Sequence, residues 1–456
     1  MINHARYSRR QFLKTTALVA SATGLPGWFV EQERALAAPV AKRPGPNDRP
    51  GVALVGCGGQ GNGDTASAKR FGDIVAVCDV DRHRGEASAN QFADKGRTPW
   101  VYTDFRKLME RSDVHIIVNG TPDHWHTLVN LLAVKTGHDV YAEKPLTLTI
   151  DEGKRLVKAV RKHKAVFQVG SQQRSDRNFR LACELVRNGR LGKLQEIIVG
   201  LPTGPREGPF EPIPVPPELN WDYYTGQSPK TDYVGLRQVK TVDGKEQVTY
   251  ESKNGHVAFR WWYNFSNGMM TDWGAHHDDI AQWANGTELS GPVEVEGKSM
   301  VEMIPGGFQT AAEFEVHFRY ENGVRMTVTD GQRAPNGVKF IGPEGWIFVT
   351  RGKIEASKPD LLEAALPGNA VRLYRSDDHM GNFFDCVRSR KAPIAECEIG
   401  HRSITVAHIG VISTRMGGLK LGWNPMKEEF IGEHAKEANK WLIREMRKPY
   451  DYSFIG

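Results

Sequence analysis

The chain has 456 residues, of which 39% are hydrophobic and 25% charged, and a formal net charge of +6. This composition is ordinary for a folded chain of two or more domains and excludes a low-complexity or collagen-like one. The cations form no dense block, which argues against a nucleic-acid partner, and no apolar run reaches the roughly 18 residues of a membrane span.

Residues 1–37 read as an export leader. Ser8-Arg9-Arg10-Gln11-Phe12-Leu13-Lys14 precedes a mildly apolar run, Thr15 to Val30. Ala35-Leu36-Ala37 then offers small residues for cleavage. The paired arginines followed by Phe-Leu-Lys resemble a twin-arginine signal, which implies a periplasmic or exported protein that folds before it leaves the cytoplasm. The leader is expected to stand apart from the fold. A Pro-rich spacer over 38–49 reads as a linker. The five cysteines include no C-x-x-C pair, so neither a zinc site nor a disulfide framework is expected.

Residues 51–64, GVALVGCGGQGNGD, organise the chain beyond the spacer. Val52 to Val55 form an apolar run suited to burial on both faces, as in a central parallel strand. Gly56, Gly58 and Gly61 fit the G-x-G-x-x-G spacing. The first permits a tight turn, the second lets a pyrophosphate approach, and the third lets the next helix pack on the strand. Gly59 and Gln60 complete the turn, and a helix starting near Asn62 points its positive end at the phosphates. A second apolar run ends at Asp79, 23 positions beyond Gly56. That is near the offset of about 20 at which a carboxylate meets the adenosine ribose hydroxyls. The pattern predicts an NAD site, with Arg82 close enough to admit NADP.

Helix and strand patterns alternate over 50–170, which predicts a doubly wound α/β domain whose strand ends line a ligand crevice. A buried strand at 114–118 runs into Thr121 and Pro122 at that edge. His124 and His126 come next, and His126 is read as a ribose or substrate contact, with a structural cap as the alternative. A strand at 140–141 leads into Glu143-Lys144-Pro145. A helix over 151–162, capped by Thr149 or Asp151, and a strand at 166–169 complete the domain.

Residues 171–422 read as a second domain. A helix at 179–188 ends at Gly189. Short strands at 196–200, 293–301, 311–320, 324–329, 338–342 and 345–350 predict a large, mostly antiparallel sheet with helices on one side. Residues 202–255 are Pro-, Gly- and polar-rich, with Trp221, Tyr223 and Tyr224 interleaved, and predict an irregular loop at the substrate rim. The amphipathic tail, 423–456, reads as helical and docked on the body.

A dinucleotide fold carrying Glu143-Lys144-Pro145, followed by a sheet domain carrying Asp272-Trp273-Gly274-Ala275-His276, resembles the Gfo/Idh/MocA family of oxidoreductases. The likeness covers most of the chain from about residue 50 and includes Thr121-Pro122-Asp123-His124-Trp125-His126. It implies an NAD(P)-dependent enzyme moving a hydride between a sugar, polyol or glycoside hydroxyl and a tightly bound nicotinamide. By the family's pattern His276 is the general base, and Asp272, one helical turn earlier, orients its imidazole. Lys144 stabilises charge developing on the substrate oxygen, helped into the crevice by a cis bond to Pro145. Glu143 holds the nicotinamide ribose. Arg260, Trp261 and His277 are expected to line the substrate pocket. No metal is expected in His276-His277-Asp278-Asp279, because consecutive helical residues point about 100° apart. A homo-oligomer is implied by the resemblance. Two alternatives remain open: an NAD-dependent glycoside hydrolase or lyase using transient oxidation, and a non-catalytic sugar-binding protein.

Overall fold

Residues 24–35, 49–242 and 245–455 are described by the structure, a computed structural model. Six strands build the first sheet: β1 (Gly51–Val55), β2 (Asp73–Cys78), β3 (Trp100–Tyr102), β4 (Ile116–Asn119), β5 (Asp139–Ala142) and β6 (Phe167–Val169). Their order is β3-β2-β1-β4-β5-β6, and every neighbouring pair is parallel. All of β1 is buried. Helices on both faces require that, which is why its sequence is continuously apolar rather than alternating. Strand order reverses between β1 and β4, and a crevice opens beyond the strand ends at that point. The helix Ile150–His163 begins with a capping box of Thr149 and Glu152, so Thr149 rather than Asp151 is its cap.

The second part starts with β7 (Glu196–Leu201). A small sheet of β8 (Glu211–Pro212), β9 (Val234–Val242) and β10 (Lys245–Ser252) comes after it. Then come β11 (Glu294–Ser299), β12 (Phe314–Arg319), β13 (Arg325–Asp330), β14 (Gly337–Gly342), β15 (Gly345–Thr350), β16 (Lys353–Ala356), β17 (Leu421–Asn424) and β18 (Glu429–Ile431). The large sheet runs β16-β15-β14-β7-β13-β12-β11-β17-β18. All its pairs are antiparallel except β7 with β13. Inward residues such as Ile197, Val199, Val316 and Phe340 are fully buried. The helices Arg177–Arg187, Gly274–Asn285 and Cys397–Arg415 cover that face. This is the α/β domain and mostly antiparallel sheet that the sequence patterns predict.

Three regions differ from the sequence reading. The tail is not a single amphipathic helix. It adds β17 and β18 to the sheet edge, with Trp423 and Phe430 buried, and three short helical turns, Ala435–Ala438, Asn439–Leu442 and Tyr452–Ile455, succeed them. Residues 202–255 are not irregular throughout, since β9 and β10 pair over eight positions. Finally, residues 24–35 do not stand apart from the body. The helix Gly27–Ala35 docks on it with Leu25, Phe29 and Val30 buried. Glu33 is 3% exposed and pairs with Arg180 at 2.5 Å and Arg375 at 3.2 Å. The apolar spacing that suits a leader also suits one face of a helix. The Ser8–Lys14 motif and the 38–48 spacer lie outside the described residues.

Candidate active site

Gly56 has φ +89°, and a Cβ there would lie 2.5 Å from the backbone nitrogen of Thr121. At Gly61 a Cβ would sit 2.3 Å from the Gly56 carbonyl oxygen, so these positions accept only glycine if strand and helix are to touch. The helix Gly59–Ala68 begins with no side-chain cap, and its first helical bond is Asn62 N–H to Gly58 O at 3.0 Å. The N–H groups of Gly59, Gln60 and Gly61 precede that bond. They face an anion site made of backbone donors and a helix dipole.

Gly56, Gly58 and Gly59 open on a cavity of about 400 Å³, whereas Gly61 packs against Gly56 and does not line it. Its walls include Gly56, Gly58, Gly59, Gln60, Thr121, Pro122, Glu143 and Lys144, as expected from the sequence. Asp79 lines it too, but also ties the turn together. Its Oδ2 accepts from Cys57 N–H at 2.7 Å and its Oδ1 from Asp81 N–H at 2.8 Å. The cation beside it is Arg84; Arg82 instead pairs with Glu86 on the surface. His126 is a brace rather than a ligand contact. It is buried, with its ring nitrogens 2.7 Å from Pro145 O and 2.8 Å from Thr121 O, and it lines neither cavity.

The segment predicted as a substrate rim covers this first cavity instead. Arg82 N–H donates to Glu218 O at 3.0 Å, and Asn220 N–H donates to Val80 O at 3.0 Å. Tyr223 OH donates to Asp104 Oδ1 at 3.0 Å, and Trp125 Nε1–H to Tyr224 O at 2.9 Å. Tyr223, Tyr224, His256, Phe259 and Arg260 thereby form the outer wall.

A second cavity, of about 610 Å³, adjoins the first and shares Gln60, Glu143 and Lys144 with it. Lys144 and His276 both line it. Lys144 Nζ lies 2.6 Å from Asp272 Oδ1, and Arg260 Nε lies 3.3 Å from the same oxygen. The two cations hold the Asp272 carboxyl below its ordinary range against the opposing effect of burial. The Lys144–Pro145 bond is cis.

Asp272 does not orient His276. The helix breaks at Trp273, between Met269–Asp272 and Gly274–Asn285, so the expected turn-apart pairing is lost. His276 Nδ1 is buried without a partner. Burial first, and then the Lys144 charge, hold the imidazole neutral far below its ordinary titration range. Of the other candidates, Arg260 lines the dinucleotide cavity. Trp261 packs against an aromatic cluster with Phe259 and Phe308. His277 is buried behind the wall, 2.7 Å from Asn336 Oδ1.

The wall facing Lys144 is made by Asp64, Gln172, Asp176, Phe179, Trp273 and Arg351, none of which was assigned from sequence. Gln172 and Asp176 come after β6, where the crevice rule for strand ends would have flagged them. Arg351 lies over the Trp273 ring at 4.7 Å and succeeds β15, a strand of the other sheet with no such rule.

Residues 51–171 match the oxidoreductase family's NAD-binding Rossmann fold (GFO_IDH_MocA), and residues 206–452 match its C-terminal alpha/beta domain (GFO_IDH_MocA_C2). The chain belongs to the Gfo/Idh/MocA oxidoreductase family. It is therefore an NAD(P)-dependent oxidoreductase with an NAD-binding Rossmann domain. The uncharacterized oxidoreductase YrbE of Bacillus subtilis is 22% identical over 64% of this chain and 69% of its own length. A glycosyl hydrolase family 109 protein of Shewanella pealeana is 26% identical over 41% of this chain and 44% of its own length. Among solved structures, levoglucosan dehydrogenase in complex with NADH and L-sorbose is 14% identical, with TM-score 0.59 over 82% of this chain and 98% of that one. The aldose-aldose oxidoreductase of Caulobacter crescentus is 16% identical, with TM-score 0.58 over 82% and 99%. Among the described residues no helix is long and apolar enough to cross a membrane.

Proposed function

We propose that this oxidoreductase oxidises a secondary hydroxyl of a sugar, polyol or glycoside in the second cavity, using NAD held in the first. The observation that carries the reading is that Lys144 and His276 face one cavity whose wall, through Gln60, Glu143 and Lys144, is also the wall of the dinucleotide site. The uncapped helix start and the open space at Gly58 and Gly59 fit a pyrophosphate. Asp79 would hold the adenosine ribose, and Glu143 the nicotinamide ribose. When bound, the nicotinamide supplies the hydride acceptor.

The chain's own residues handle the proton and the charge. Burial keeps His276 neutral, so its ring accepts the hydroxyl proton directly. A neutral imidazole held this far below its usual range is a weak base. The Lys144 ammonium therefore matters more, because it stabilises the oxyanion as the proton leaves. Asp272 aims Lys144. The wall residues Gln172, Asp176 and Trp273 offer hydrogen bonds and an aromatic face suited to a polyhydroxy ligand.

The strap over the first cavity supports a second element of the reading, a dinucleotide that stays bound between turnovers. Denaturing the purified protein and assaying for released nicotinamide nucleotide tests this; finding none contradicts it. Asp79 supports NAD over NADP. The match to a glycosyl hydrolase family 109 protein supports a second reading, redox-assisted cleavage of a glycoside. Product analysis separates the two, since cleavage without net change in reduced nicotinamide favours the second.

Export by the twin-arginine route belongs to this proposal and rests on Arg9, Arg10 and the residues after them. Replacing both arginines by lysine and tracking the chain's location checks it. A homo-oligomer is proposed from the face of the large sheet opposite its helices, with sedimentation of the purified chain as the test.

A further inference from the structure

The C-terminal tail reaches the covering wall of the dinucleotide cavity without entering it. Arg444 fixes the tail on the body. Its Nη2 donates to Asn267 Oδ1 at 2.5 Å, and its guanidinium lies 3.6 Å from the centre of the Tyr263 ring. Three residues on, Arg447 meets the segment 222–228. Its N–H donates to Gln227 O at 2.8 Å. Its Nε donates to Gly226 O at 3.1 Å and to Ser228 O at 3.2 Å. Nη1 donates to Asp222 Oδ1 at 2.8 Å, and Nη2 donates to Asp222 O at 3.1 Å and Thr225 Oγ1 at 3.2 Å. Tyr450 takes the second carboxylate oxygen, its OH donating to Asp222 Oδ2 at 2.8 Å. A guanidinium carries its donors in a fixed fork, so one side chain can hold a whole turn of backbone in place.

That turn cannot hold itself. The helix Trp221–Thr225 has five residues, little more than one turn, and takes its position from its neighbours. Toward the cavity, Tyr223 and Tyr224 form part of the lining, and Asn220, Tyr223 and Tyr224 carry the bonds to Val80, Asp104 and Trp125. Toward the tail, the Tyr450 ring stacks on Tyr223, with centroids 5.9 Å apart and 21° between the planes. The Phe454 ring lies 6.1 Å from both Tyr223 and Trp125, and the Arg106 guanidinium sits 4.0 Å over it. Trp125 and Tyr223 therefore touch the cavity and the tail at once.

We propose that Arg447 and Tyr450 are positioning residues for the dinucleotide: they latch the Trp221–Thr225 helix over the cavity and so set how long the cofactor stays. This rests on the reading that the dinucleotide remains bound between turnovers and deepens it, because it names what keeps the cover shut. Neither residue touches the cofactor cavity, and both act through Asp222 and Tyr223.

The test loads the full chain with NADH, mixes it with excess NAD and follows the loss of bound-NADH fluorescence. Release is slow in the wild type. Arg447→Gln and Asp222→Asn each speed it by about tenfold, and Tyr450→Phe by a smaller factor. The double variant of Arg447 and Asp222 falls short of the product of the single effects, because both changes break the same ion pair. Glu33→Ala, which weakens the fold far from this wall, lowers the thermal midpoint and leaves NADH release unchanged. Unchanged release in Arg447→Gln and Tyr450→Phe overturns the latch. So does release in Glu33→Ala as fast as in Arg447→Gln, since release then reports stability alone. Tyr450→Phe decides by itself if Arg447→Gln does not fold. A wild type that releases NADH as fast as the variants overturns cofactor retention together with the latch, whereas a slow wild type with equally slow variants overturns the latch alone.

Discussion

Asp272 Oδ1 lies 2.6 Å from the Nζ of Lys144, while His276, four residues further on, has a buried Nδ1 with no partner at all. The carboxylate therefore serves the lysine. Asp272→Asn is expected to lower kcat by about a hundredfold by misplacing Lys144. It should leave the low-pH behaviour of His276 unchanged, because Asp272 does not touch that ring. Steady-state kinetics across the acid range check both parts.

Lys144→Met should cost more, about a thousandfold in kcat, because it removes the charge meant for the oxyanion. Arg260 remains beside Asp272, so the carboxylate keeps one cation and the fold should survive. Retention of bound nicotinamide in the variant, with turnover lost, distinguishes a chemical role from a cofactor-binding one.

Much of this site was legible in the sequence, and the reason is local. Gly56, Gly58, Gly61 and Asp79 act through spacing along one strand–turn–helix–strand unit, where distance in sequence sets distance in space. Lys144 and His276 were legible through resemblance. The partner of Asp272 was not, because the pairing with Lys144 spans 128 positions and depends on a helix break at Trp273. Arg351 was missed for the same reason. The hairpin β9–β10 was missed because its residues are largely exposed and lack a buried alternating face, although Asp243-Gly244 between the two runs is a hairpin signal.

Buried histidines make the fold acid-sensitive. Burial lowers His124, His277 and His379 to about 4 and His408 to about 3. Each folded-state value lies below the unfolded one of about 6.5, so the unfolded chain binds more protons as pH falls through that window. Stability should be unaffected by these groups above about pH 6.5 and fall toward about pH 4. His277→Gln should flatten that loss by roughly 3 kcal/mol at the acid end, at 1.36 kcal/mol per unit. Urea unfolding at several pH values measures it.

The docked helix Gly27–Ala35 gives an independent stability prediction. Arg180 is 4% exposed and pairs with Glu33 at 2.5 Å. Glu33→Ala in the full chain leaves a buried guanidinium short of its best partner and should cost about 3 kcal/mol. The shift in thermal midpoint reads it, with no change in KM expected.

The most direct test is a single-turnover experiment on the NAD-loaded chain, recording reduced-nicotinamide absorbance after mixing with a panel of sugars, polyols and glycosides. The account predicts an absorbance rise with at least one polyhydroxy member of the panel, slowed about a thousandfold in Lys144→Met and at least a hundredfold in His276→Asn. No reduction with any member of the panel, or unchanged traces in both variants, would contradict it.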